Sequence, residues 1–136
     1  MSKSISFEEA AISDIPAVTE FIEDELNALD CPMKAVIQIN VAIDEIYSNI
    51  VKFAYGDGKG PAEVTISEKN GVVSIAFADN GSPYNPLLRD DPDVTLSAEE
   101  RNIGGLGIFM VKKTMDNLEY RYENDHNILT ISKKIR

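Results

Sequence analysis

Asn70-Gly71 lies between "AEVTISEK" and "VVSIAFAD", two runs in which apolar and polar residues alternate. Asn-Gly suits a type I′ turn, which needs positive φ at both central positions and whose twist matches that of the strands it joins. The two runs are therefore expected to be antiparallel neighbours in a sheet. "LEYRYEN" and "NILTISKKI" read as a second, terminal hairpin with His126 in its turn. Residues 3–9, where Ile5 and Phe7 alternate with polar neighbours, read as a half-buried first strand.

Two amphipathic stretches precede the first hairpin. Ser13 or Asp14 caps a helix to about Leu29, with Ile15, Val18, Phe21, Ile22, Leu26 and Leu29 at helical spacing. "LDCPM" breaks it. A longer helix follows from about Met33 to Ala54, its stripe formed by Ile39, Ile43, Ile46, Ile50 and Phe53, and "YGDGKGP" ends it. Residues 82–103 read as a polar loop holding Pro83, Pro86 and Pro92, with one capped helical turn at Ser97. "GGLG" then leads into a helix over about 108–116. The expected fold class is α+β, one domain over residues 1–136. It is a two-layer sandwich of a mixed, mostly antiparallel sheet of about five strands, with about three helices on one face.

The formal net charge of −10 argues against a nucleic-acid-binding face, because phosphate would be repelled. A single cysteine, Cys31, excludes an internal disulfide and suits a cytoplasmic chain. "MSKSISFEEA" lacks the apolar segment of a signal peptide, and no apolar run approaches the ~20 residues of a membrane span.

Three stretches carry candidate chemistry. In "AIDEIYSNIVKFAY" Glu45 and Asn49 are four residues apart, so they stack on one side of the helix beside its apolar stripe. Solvated, they are unremarkable surface residues; together in a site, both offer oxygen to Mg²⁺ and its waters, and the Glu can take a proton. "IAFADNGSPYNPL" stops at Asp79 and turns through Asn80-Gly81, so Asp79 either closes a turn or holds something. "GGLG" frees backbone N–H groups at a helix start, a natural phosphate cradle, or else is a flexible connection. It carries neither the Lys-Ser/Thr of a P-loop nor a dinucleotide-binding GxGxxG.

In order along the chain, Glu45-xxx-Asn49, Asp79-x-Gly81 and Gly104-Gly105-x-Gly107 resemble the N, G1 and G2 boxes of the GHKL ATP-binding superfamily. That superfamily is named for gyrase, the heat-shock chaperone, histidine kinases and the mismatch-repair ATPase. "DEIYSNIVKFAY", "DNGSPYNP" and "GGLGIFMVKKTMD" are most similar to the stand-alone anti-sigma-factor serine kinases, over nearly the whole chain. The resemblance implies a Bergerat-type ATP-binding fold and a Mg-ATP-dependent serine/threonine kinase. In it Asp79 accepts a hydrogen bond from the adenine amino group beside Gly81. Asn49 ligates Mg²⁺, and Glu45 is the general base. Amides of Gly104, Gly105, Leu106 and Gly107 hold phosphates under a lid, from which Arg101 reaches the γ-phosphate. Lys52 is either a second positive contact or a solvated helix-end lysine.

The implied partners are a STAS-type anti-anti-sigma protein, as substrate, and a sigma factor. A homodimer through the edge of residues 3–9 is also implied, with no direct contact to nucleic acid or membrane. The rival reading is an ATP- or ADP-binding module that sequesters a partner without phosphoryl transfer. The chain departs from histidine kinases at Pro83, where they carry a second glycine, and in lacking their phosphorylatable-histidine helices. Its lid, about residues 86–103, is short, and its five acids (Asp90, Asp91, Asp93, Glu99, Glu100) lack EF-hand spacing.

Overall fold

In the computed structural model the described residues are 2–56, 58–88 and 103–135. The chain runs β1 (Ser2–Phe7), α1 (Ile15–Ala28), α2 (Met33–Asn49), β2 (Ala62–Lys69), β3 (Val72–Asp79), α3 (Ile103–Thr114), β4 (Asn117–Glu123) and β5 (His126–Lys134). The five strands form one sheet in the order β1-β2-β3-β5-β4. All four pairings are antiparallel, so nothing parallel accompanies the expected α+β architecture among the described residues.

Asn70 and Gly71 both have positive φ, as the hairpin signal requires. The terminal hairpin turns one residue earlier than its sequence suggests. Asn124 and Asp125 take the positive φ angles, and His126 becomes the first residue of β5, with Nδ1 against the Asn124 carbonyl at 2.7 Å. Asn and Asp tolerate the left-handed region better than other side chains, which accounts for the shift.

Register decides which side chains face the helices. Ile5, Val64, Phe77, Leu129 and Tyr120 stand in one row across all five strands; Ile66, Ile75, Ile131 and Leu118 make the next. With Val18, Ile22 and Leu26 of α1 and Ile39, Ile43 and Ile46 of α2, most of these residues form one continuous core. The opposite phase carries small hydroxyl residues, with Ser4 bonded to Thr65 and Ser74 to Ser132. Helices therefore cover one face of the sheet.

α1 begins behind a 3-10 turn, Ile12–Asp14, with Pro16 in its first turn. Asp14 does not cap forward; its carboxylate turns back to the Ala11 N–H (2.8 Å) and accepts the hydroxyl of buried Tyr47 from α2 (2.7 Å). α2 follows its predicted stripe as far as Ile50 and then widens into a π-helical turn, Ile50–Ala54. The wider turn moves the stripe on by one residue, so Ala54 is buried and Phe53, expected in the core, is 43% exposed.

α3 starts at Ile103, so "GGLG" is its first turn rather than a loop before it. Glycine weakens a helix by about 1 kcal/mol against alanine, a cost that packing along α2 offsets. The expected helical turn at Ser97 and the lid acids lie outside the described residues.

Candidate nucleotide site

The end of β3, the end of α2 and the start of β5 meet at one corner of the sandwich. Asp79 closes β3 and pairs in register with Ala62 on one side and Asn127 on the other. It is buried, as are Asn127 and, on α2, Asn49. Three buried polar side chains in an otherwise apolar interior need partners, because desolvation without them costs ~1–3 kcal/mol each.

Asp79 is supplied from two directions. The Gly81 N–H donates to its Oδ1 at 2.9 Å, closing the strand into an Asx-type turn, and the Asn127 Nδ2 donates to the same oxygen at 2.9 Å. Oδ2 receives no hydrogen bond from the described residues. Burial pushes the Asp79 carboxyl above its ordinary range. The Asn127 and Gly81 hydrogen bonds, and more weakly the nearby His126, pull the other way.

Gly81 is required by contact rather than by backbone angle. A Cβ built there would fall 2.1 Å from the Ala54 carbonyl oxygen and 2.7 Å from the Ala54 Cβ. Ser82 N–H donates to that same carbonyl at 3.0 Å. The π turn thus serves as the platform on which the Asp79–Gly81 turn rests. Tyr55, just beyond it, receives the Asn80 N–H at 2.8 Å and donates to the Pro61 carbonyl.

Asn49 and Asp79 open onto one cavity whose other walls include Ile46, Ile50, Phe77, Leu129, Tyr120, Ile108, Tyr84 and Pro86. Its free volume is about 30 Å³, room for about two waters. Tyr84 and Pro86 form the part of its wall that lies outside the sheet and the long helices. The Tyr84 ring rests on Phe53 at 5.8 Å, while its buried hydroxyl has no hydrogen-bond partner among the described residues.

The Asn49 Nδ2 is likewise buried without a hydrogen-bond partner among the described residues. A 180° turn exchanges carboxamide oxygen and nitrogen, so this side chain can present oxygen to a hard cation. Among the described residues no group of three or more His, Cys, Asp or Glu could hold a metal by itself. A cation here would take most of its oxygens from phosphate and water, and Asn49 fits that limited role.

Among the residues singled out from sequence, the fold brings Asn49, Asp79 and Gly81 together. Glu45 lies one turn before Asn49 on α2, half-buried and outside the cavity wall. Lys52 is exposed on the π turn. Gly104, Gly105, Leu106 and Gly107 form the first turn of α3, where backbone N–H groups lack intrahelical acceptors. Arg101 lies outside the described residues. Sequence reasoning passed over Asn127 and Tyr120. Asn127 could have been found by phase, since it alternates with Leu129 and Ile131 and so had to point inward.

Residues 9–133 match the family model of the histidine kinase-like ATPase domain. The chain belongs to that family. As a histidine kinase-like ATPase domain it is similar to the serine/threonine-protein kinase BtrW of Bordetella bronchiseptica. The two are 30% identical over 95 residues, which cover 69% of this chain and 67% of that one. It is also similar to the serine-protein kinase RsbW of Listeria monocytogenes, 28% identical over 103 residues. There the match covers 71% of this chain and 64% of the relative, so it spans a little under two thirds of that protein. Its fold matches the crystal structure of the RsbU and RsbW domains of a Mycobacterium tuberculosis protein. The TM-score is 0.67 at 14% identity, over 98% of this chain and 32% of that one. The histidine kinase domain of a blue-light activated kinase from Erythrobacter litoralis matches at a TM-score of 0.57 and 15% identity, covering 89% and 61% of the two chains.

Proposed function

We propose that this chain is a Mg-ATP-dependent protein serine/threonine kinase that acts as an anti-sigma factor. Its substrate is a small STAS-type anti-anti-sigma protein, and its regulatory target is a sigma factor, both in the cytoplasm. The observation that carries this reading is the convergence of Asp79 and Asn49 on one cavity. An acceptor oxygen and an uncommitted carboxamide, set in apolar walls, suit an adenine at one end and a metal-bound triphosphate at the other.

The chemistry asks mainly for position and charge neutralisation. Asp79 Oδ2 accepts from the adenine amino group, and the apolar walls hold the ring. Asn49 would hold Mg²⁺, which supplies charge neutralisation on the phosphates when bound. Amides at the start of α3, from Gly104 to Gly107, and the Arg101 guanidinium meet the phosphate oxygens. Glu45 takes the proton from the partner's Ser or Thr hydroxyl. That oxygen bonds to the γ-phosphorus as the bond from phosphorus to the β–γ bridging oxygen breaks, and ADP leaves. Lys52, exposed on the same helix end, adds positive charge near the phosphates. No helix among the described residues is long and apolar enough to cross a membrane.

Incubation with γ-labelled ATP, Mg²⁺ and a STAS partner tests the proposal. Label on a serine or threonine of the partner supports the kinase. Tight nucleotide and partner binding with no transferred label would instead establish a sequestering module, and calorimetry showing no heat with Mg-ATP would overturn both.

A further inference from the structure

We propose that Asn127 is the positioning residue of the adenine site, fixing Asp79 so that one carboxylate oxygen alone faces the base. The inference rests on the nucleotide reading above and adds to it a residue outside the three sequence boxes.

The geometry is unusually complete for one side chain. Asn127 Nδ2 donates to Asp79 Oδ1 at 2.9 Å, to the Ser82 carbonyl at 2.9 Å and, longer, to the Gly81 carbonyl at 3.3 Å. Its Oδ1 accepts the Tyr84 N–H at 3.0 Å and the Tyr120 hydroxyl. Asn127 is 5% exposed, and it stands directly opposite Asp79 in the β3–β5 register. One amide therefore holds the purine acceptor, the turn after it and the Tyr84 wall of the cavity.

Two consequences separate this from a side chain that only satisfies a buried strand end. With Gly81 and Asn127 both donating to Oδ1, Asp79 cannot rotate to offer that oxygen to a ligand without losing two bonds. The Asn127 donor also favours the ionised carboxylate, which is the form with acceptor capacity to spare. Among the charged groups of the packed elements, His126 acts in the same sense from β5. Removing the donor must then alter the pH dependence of nucleotide binding, and a purely structural role would not.

The test is Mg-ATP binding by calorimetry across pH for the unsubstituted chain, Asn127→Leu and Asn127→Asp, with thermal melts to establish folding. Asn127→Leu removes the donor at similar size. Affinity should fall about tenfold at neutral pH, and the acid limb of binding should move to higher pH, because Asp79 protonates more readily. Asn127→Asp keeps the acceptor for Tyr84 and Tyr120 but puts a second carboxyl against Asp79. The pair shares one proton at lower pH, and the protonated partner then donates as the amide did. Its ATP affinity should rise as pH falls from about 8 to about 6, opposite in sign to Asn127→Leu. If Asn127→Leu does not fold, the sign of the Asn127→Asp profile decides alone. Binding within about twofold of the unsubstituted chain, with an unmoved pH profile, overturns the inference while leaving the nucleotide reading intact. Absence of Mg-ATP binding by the unsubstituted chain overturns that reading and the inference together.

Discussion

Gly81 and Ala54 meet backbone to backbone: the Ala54 carbonyl oxygen fills the space where a Gly81 Cβ would sit, 2.1 Å away. The contact locks the turn after Asp79 onto the helix end that begins at Asn49, and so sets the spacing between Asp79 and Asn49. Any side chain at 81 has to push these segments apart. Overpacking of this kind costs ~1–3 kcal/mol. Gly81→Ala should therefore lower the melting temperature by several degrees and weaken Mg-ATP binding in the same protein. Calorimetric melting and binding measured on one preparation would show both; a mutant that keeps both values contradicts the assigned contact.

Asp79→Asn changes little of the local fold, because Oδ1 can still accept from Gly81 and Asn127. The other end of the carboxamide becomes an NH₂ aimed at the adenine amino group. A charge-assisted hydrogen bond is lost, so ATP affinity should fall about ten- to a hundredfold. Preference for ATP over GTP should narrow too, since guanine carries an acceptor at that ring position. Competitive titration reads both quantities, and unchanged affinity would remove Asp79 from the site.

Glu45→Ala separates chemistry from binding. Glu45 lies outside the cavity wall, one turn from Asn49, so nucleotide affinity should hold within about threefold while phosphoryl transfer falls ~10²–10⁴-fold. Single-turnover transfer to a STAS partner is the measurement. A native rate in the mutant would defeat the base assignment.

Acid should act on the site before it acts on ordinary carboxylates. The Asp79 carboxyl is raised above 3.8, chiefly by burial. A raised folded-state pKa means the unliganded fold is penalised by the charged form. Asp79's contribution to stability is thus present below the unfolded value and lost as pH rises through the folded one. Nucleotide binding runs the other way, because it needs the acceptor, and weakens as pH falls through the raised value. The ATP-induced rise in melting temperature should consequently shrink as pH drops toward that value from above. An ATP-induced shift constant down to pH ~4 would be inconsistent with this assignment.

Tyr47→Phe is a stability change away from the nucleotide. The Tyr47 hydroxyl, fully buried, reaches the Asp14 carboxylate that organises the start of α1. Its loss should cost about 1.5–3 kcal/mol in a denaturant melt, with ATP affinity altered less than about twofold. A large loss of affinity would reveal coupling between α1 and the site.

Local rules carried most of the fold. Period-2 alternation and Asn70-Gly71 placed the strands, and the Ile39–Ile50 stripe placed α2 against them. What failed was phase where the backbone departs from regular geometry. The π turn exchanged Phe53 for Ala54, and Asn124-Asp125 took the turn assigned to His126. Three glycines read as a loop became the first turn of α3, because packing along α2 outweighs propensity. At the candidate site, the boxes singled out Asp79, Gly81 and Asn49, which the fold brings together, whereas Asn127 has no box. Phase along β5 turns it inward, but its pairing with Asp79 appears only once register sets β5 against β3, a nonlocal fact that no window of sequence contains.

The widened turn after Asn49 has a consequence for insertions and deletions. It lets one rod carry two angular settings: the sheet governs the first, and the corner at Asp79 and Gly81 governs the second. Shortening the segment 50–54 by a single residue should restore regular winding and still leave Ala54 facing its glycine partner, because the wide turn holds one residue more than a regular helix needs there. Tightening the turn at unchanged length should instead swing Phe53 inward and carry Ala54 roughly 100° away, so the winding of that segment shapes the corner as much as any side chain in it.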